Sequence, residues 1–271
     1  MVYLRIIFVI VIINFSYAQE VERDNLYKRF IADAHLTVNG SVHVISTPYH
    51  WNSSDWASFG AITGATLLSY FLDRNIRNVF QRNKGQFADK LSQFGELYGE
   101  PITVVVLTGG IYAYGLFLNN PRVRRTAILM TTTLISGGAV QTIAKVTAGR
   151  ARPLTENGHN TFKPFSRTED YYSFVSGHTL VAMSMSFVLA KQFRSMPVKI
   201  ALYSLGAIGG FSRIYNDDHW FSDVLLGAAL SYACVSSADN WINQNTRKDN
   251  KKCVSTLLHV TSRQITVSLV W

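Results

Sequence analysis

Apolar positions along this chain gather into long runs separated by short polar connections. The runs are Trp56 to Leu72, Ile102 to Leu118, Thr126 to Val146, His178 to Phe193, Val198 to Ile214 and His219 to Ser237. Each is too long for an ordinary strand, so the pattern predicts helices. Several carry clusters of small residues (ISGGAV, SLGAIGG, LLGAAL), the composition that lets helices approach closely inside a bilayer. The reading is an all-α fold: a membrane-embedded bundle of about five or six apolar helices, preceded by a mixed extracytoplasmic segment. A buried bundle in a soluble protein competes with it, because some runs fall short of the roughly 20 residues of a membrane span. From Gln19 to Trp51 the chain is mixed and polar, and the alternation in LTVNGSVHVIS predicts a short strand or hairpin around Asn39-Gly40. The tail QITVSLVW alternates in the same way.

Composition strengthens the membrane reading. Hydrophobic residues make up 48% of the 271 positions and charged residues only 16%, against about a quarter in soluble domains. No linker divides the chain, so one domain is expected. At the N-terminus, Arg5 precedes an apolar run from Ile6 to Ile13 and small residues at Ser16 and Ala18. This predicts a secretory signal over residues 1–18, with an uncleaved anchor as the competing reading. Residues 19–100 then form an extracytoplasmic or interfacial region, 101–240 the main helical domain and 241–271 a basic tail. Cys234 and Cys253 lack metal or disulfide spacing and are read as free thiols.

The formal charge of +9 suits an anionic partner, and the positions of the charges say more. Arg122, Arg124 and Arg125, then Lys191, Arg194 and Lys199, then Arg247, Lys248, Lys251 and Lys252 would share one side if the last five apolar segments span. The positive-inside rule makes that side cytoplasmic and turns the Lys145 to His178 and Arg213 to Asp223 stretches outward. In this scheme Trp56 to Leu72 does not cross, since the basic DRNIRNVFQRNKG follows it, and an interfacial helix is expected there.

Those outward ends hold the chemistry. In SRIYNDDHWFSD, a helix beginning at His219 would put Asp223 four residues on and on the same face, where a carboxylate can orient an imidazole. In KVTAGRARP, Lys145 and Arg152 lie close to two helical turns apart and can face one site. Ser176 and Gly177 precede an apolar helix, where free amides and the dipole favour an anion, and His178 sits in its first turn. Arg213 adds a third cation. Plainer readings exist for each: dipole partners at helix ends, an N-cap serine, a bystander histidine. Taken together, cations, amides and two histidines fit phosphoryl transfer through a phosphohistidine. Arg150 is read as an interface charge, Asp217 and Asp218 as solvated loop residues, and His35, His43, His50 and His259 as bystanders.

KVTAGRARP, VSGH and SRIYNDDHWFSD resemble, in order and internal spacing, the three signature motifs of the type 2 phosphatidic acid phosphatase and vanadium haloperoxidase superfamily, in its membrane lipid-phosphatase branch. The resemblance covers about Ile102 to Ser237. It implies His219 as nucleophile, Asp223 as its orienter, His178 as general acid and then base, and Lys145, Arg152, Ser176, Gly177 and Arg213 as phosphate ligands. It implies no metal and no cofactor. Val175 stands where the family usually carries Pro. The expected substrate is a phosphorylated lipid in the membrane, cleaved on the extracytoplasmic face, with no nucleic-acid partner. A soluble secreted acid phosphatase and a vanadium haloperoxidase are the alternatives that share these motifs.

Overall fold

The computed structural model describes residues 25–261, with side chains through residue 246. The expected signal at 1–18 and the alternating tail QITVSLVW lie outside the described residues. The described chain is all-α. Helix α1 covers residues 25–46, followed by α2 (Ser53–Tyr70), α3 (Asp73–Arg82), α4 (Gln86–Gly99), α5 (Pro101–Phe117) and α6 (Pro121–Ala148). A loop with two short 3₁₀ turns leads to α7 (Gly177–Ala190), α8 (Met196–Tyr215) and α9 (Phe221–Thr261).

The hairpin expected around Asn39-Gly40 is not there; those residues lie inside α1. Tertiary packing overrides the local alternation. Ser41 reaches Thr132 of α6, Thr47 bonds Ser237 of α9 at 3.1 Å, and His43 stacks on Trp241. At Gly40 a Cβ would stand 3.2 Å from both Thr132 and the Trp241 ring. Its absence allows α1 to lie this close to α6 and α9.

Helix direction follows from what each end touches. α5 starts at the cavity described below and ends with Gly115 against the Arg124 backbone. α6 runs back from there to Lys145. α7 leads away from the cavity, α8 returns to it at Arg213, and α9 leads away again to Asp239, which pairs with Arg125 and Lys191. α2 also runs the full length. Its approach lies beside α9 at Thr47, and its last residue, Tyr70, donates to the His159 carbonyl beside the cavity at 3.1 Å. Asp33 of α1 pairs with Arg124 at 2.8 Å, at the far end.

The core packs Val104, Ile128, Leu129 and Met130 against Leu180, Met185, Val188, Val235 and Ile242. Among the described residues two helices are long and apolar enough to cross a membrane, Pro121–Ala148 and Phe221–Thr246. A third arises if α4 and α5, bent by 54°, form one broken span. Every apolar run predicted from sequence is a helix, but α7 has 14 residues, short for a free-standing span.

Candidate active site

The KVTAGRARP stretch ends α6 abruptly. Gly149 takes a left-handed conformation with φ of 57° and donates its N–H to the Lys145 carbonyl, closing the helix. A Cβ there would lie 1.9 Å from the Lys163 carbonyl oxygen, because the following loop folds back across it, with Lys163 N bonded to Gly149 O at 2.6 Å. Only glycine satisfies both demands. Lys145 is thereby left at the helix end, and Arg152 follows in an extended connection held by its N–H to Asp170 O at 2.7 Å.

These groups meet at a cavity of about 490 Å³. Lys145, Arg152, Gly177, His178, Arg213 and His219 line its polar part; Pro101, Val105, Leu134, Gly138, Leu180 and Val181 line the apolar part. Six of the eight residues singled out from sequence therefore share one chamber. Ser176 and Asp223 do not line it. Ser176 is the buried N-cap of α7, accepting from Thr179 N with its side chain, and its own N–H donates to the Asp223 carbonyl at 3.2 Å.

The cations are incompletely paired. Asp218 bridges Arg152 and Arg213, at 3.5 Å from one Nη1 and 3.1 Å from the other. Arg152 Nε and Arg213 Nη2 are nevertheless buried without a hydrogen-bond acceptor, though the latter is 3.3 Å from Glu96 Oε1. Buried guanidinium donors are ordinarily satisfied, so these nitrogens have the capacity to bind an anion. Asp218 is thus part of the site's charge pattern and not a solvated loop residue. Asp217 is likewise engaged, by Arg77 Nε at 2.7 Å.

His219 differs from expectation. α9 begins at Phe221, so His219 precedes the helix and does not share a helical face with Asp223. Its Nδ1 lies 2.6 Å from the Ser173 carbonyl oxygen. A carbonyl can only accept, so the proton is on Nδ1 and Nε2 keeps its lone pair. Burial, then the Lys145 and Arg152 cations, drive the pKa well below the usual imidazole value, with the Ser173 bond opposing. The ring is neutral at neutral pH. Asp223 turns away: Oδ1 accepts from Arg150 Nη1 at 2.7 Å, and Oδ2 from Ser173 Oγ at 2.6 Å.

Arg150, read as an interface charge, is instead 1% exposed and pairs with Asp73 as well as Asp223. Sequence reading also passed over Glu100, whose Oε2 lies 3.2 Å from His178 Nε2, and Gln141, whose amide donates to Val175 O at 3.0 Å below the anion-facing turn. Gln141 stands four residues before Lys145, one helical turn along the same face, and that spacing was a usable signal. Asp73, Ser173 and Glu100 carried none, since their partners are distant in sequence. Among the described residues no group of three or more His, Cys, Asp or Glu gathers as metal ligands would.

The class these features define is an all-α bundle with a cationic, two-histidine chamber at one end and, among the described residues, two to three helices long and apolar enough to cross a membrane. Residues 126–247 match the PAP2 superfamily model, just under half of the chain. The chain is 27% identical over 193 residues to a lipid A 1-phosphatase of Porphyromonas gingivalis; the match covers 69% of this chain and 38% of that relative's length. Among solved structures it is similar to LpxE of Aquifex aeolicus, with a TM-score of 0.50, 17% identity and 62% of this chain against 95% of that one. A PAP2-type phosphatidylglycerolphosphate phosphatase from Bacillus subtilis gives a TM-score of 0.49 at 18% identity, covering 78% of this chain and 96% of that one.

Proposed function

We propose that this protein is an integral membrane phosphatase that hydrolyses a phosphate ester or pyrophosphate on a lipid headgroup. The observation that carries the reading is the chamber itself, where Arg152 and Arg213, each with one buried guanidinium nitrogen that makes no hydrogen bond, stand with Lys145 around a neutral histidine. Its apolar flank of Pro101, Val105, Leu134 and Val181 suits a substrate whose polar head continues into hydrocarbon. The match of residues 126–247 to the PAP2 superfamily model, and a relative named as a lipid A 1-phosphatase, support the same class.

The residues assign themselves to steps. Lys145, Arg152, Arg213 and the Gly177 amide hold the phosphoryl oxygens and offset their charge. His219 Nε2 attacks phosphorus, its lone pair forming the N–P bond as the P–O bond to the lipid breaks. His178 gives its proton to the departing oxygen. His178 then takes a proton from water, whose oxygen attacks phosphorus, and the N–P electrons return to His219 as phosphate leaves.

Six helices, α2 and α5 to α9, run between the chamber end and the far end, and we take all six as crossings. The far end carries Arg122, Lys191 and Lys199 and is cytoplasmic by the positive-inside rule, which faces the chamber outward. Arg124, Arg125 and Lys191 are paired with Asp33 and Asp239, but the rule counts Lys and Arg and is little affected by acidic neighbours. With α2 crossing, α1 stands on the cytoplasmic side.

Assay of the detergent-purified protein against phosphatidic acid, phosphatidylglycerol phosphate, polyprenyl pyrophosphate and phosphorylated lipid A tests the reading. Phosphate release from at least one is expected. Release from none, or extraction of the protein from membranes by carbonate without detergent, would defeat it.

A further inference from the structure

Asp73 opens α3, far in sequence from the residues around the chamber and outside the stretch that matches the family. It is 1% exposed. Its Oδ2 accepts from Arg150 Nη2 at 2.7 Å and from Ser222 Oγ at 2.7 Å, and its Oδ1 from Ser222 N at 2.9 Å. Arg150 continues the chain of contacts through Nη1 to Asp223 Oδ1 at 2.7 Å and to Ser222 Oγ at 2.9 Å. Asp223 Oδ2 accepts from Ser173 Oγ at 2.6 Å, and the carbonyl of that same Ser173 accepts from His219 Nδ1. The Arg150 carbonyl takes the Ser173 N–H at 3.1 Å. Arg150 therefore grips Ser173 from both its main chain and, through Asp223, its side chain.

Each of these charges would be costly to bury alone, and breaking one contact exposes the others to that cost. The planar guanidinium fork fixes the two carboxylates relative to each other. Moving Asp73 frees one side of the fork, and the disturbance reaches the Ser173 carbonyl that sets the tautomer of His219.

We propose that Asp73, acting through Arg150, is a positioning residue for His219, so that the N-terminal region completes the reaction site. This rests on the phosphatase reading for its kinetic arm only. Asp223 belongs to the same relay: it orients the imidazole through Ser173, without touching it.

The test uses the full-length protein in detergent. Asp73→Asn is expected to lower kcat about ten- to a hundredfold, the scale of a displaced reacting group, with KM within about twofold because the chamber cations are untouched. Ser222→Ala, which keeps every charge, should lower kcat severalfold. Asp73→Asn combined with Asp223→Asn should lose no more than the worse single variant, since both cut one chain of contacts. The ¹⁵N spectrum of histidine-labelled protein should show His219 as the neutral Nδ1–H tautomer in the wild type and as a mixture in Asp73→Asn. Wild-type kcat in Asp73→Asn, losses that multiply in the double variant, or an unchanged tautomer would overturn the assignment. Should Asp73→Asn fail to fold, Ser222→Ala decides it, unchanged kcat and tautomer counting against. The spectra need no turnover, so a wild type that releases no phosphate defeats the phosphatase reading and leaves this one to be judged on the imidazole.

Discussion

His219 and His178 differ in what holds them, and they should fail differently. His219 is buried, with Nδ1 against the Ser173 carbonyl, whereas His178 reaches Glu100 at the chamber's rim. His219→Ala should abolish turnover and leave no phosphoenzyme, while His178→Ala should still form one from a substrate whose leaving group needs little protonation. Rapid-quench trapping with both substrate types checks this. The pH profile follows from the depressed pKa of His219. Its attacking form is the neutral one, which persists as pH falls through the ordinary imidazole value of about 6.5. The acid limb of kcat/KM due to this group should therefore lie below that value. Folding stability behaves accordingly: below about pH 6.5 the unfolded chain binds a proton that the folded site resists, so the His219 contribution is present above that pH and lost beneath it. An acid limb at or above pH 7 would contradict the neutral, buried imidazole. Among single residues, the cations and both histidines were legible because their motifs are local. The partner of His219 was not, because a helix start two residues later turned Asp223 from a direct contact into an indirect one.

At the scale of elements, periodicity located the apolar helices but not what interrupts them. α3 and α4 are short and polar enough to read as connections, yet α3 supplies Asp73 and α4 packs along α8, with Ser92 on Asn216 at 2.8 Å. α1 contradicted its own alternation because Gly40 and its neighbours found helical partners. The turn after α6 is the element most exposed to a single change. Gly149→Ala places a Cβ on the Lys163 carbonyl and a non-glycine residue in a left-handed conformation, which alone costs about 1–2 kcal/mol. Relief requires the loop to lift, carrying Arg152 from the chamber. The variant should lower thermal stability in detergent and lose most of its kcat; a stable, fully active Gly149→Ala would show that the turn does not position Arg152.

For the whole molecule, the proposed topology rests on the arrangement of helix ends and not on the hydrophobic runs alone. Sequence alone left Trp56 to Leu72 as an interfacial helix, since its flanks are basic on the wrong side. The contacts of Tyr70 with His159 and of Thr47 with Ser237 lay α2 along the bundle, which is why the proposed topology counts it as a crossing, although its length and composition do not place it among the candidate spans. In a variant lacking Cys234 and Cys253, Asn160→Cys should label with an impermeant thiol reagent in intact cells, and Ser195→Cys and Ala32→Cys should not. Labelling of Ala32→Cys together with Asn160→Cys would mean that α2 does not cross. The chamber's central claim is a phosphoryl group carried on His219 while cations hold its oxygens. Quenching turnover of a phosphate-labelled lipid and mapping the labelled peptide by mass spectrometry tests it most directly. An acid-labile phosphate on His219, absent in His219→Ala, is the expected result; turnover with no phosphohistidine, or with the label on His178, would contradict it.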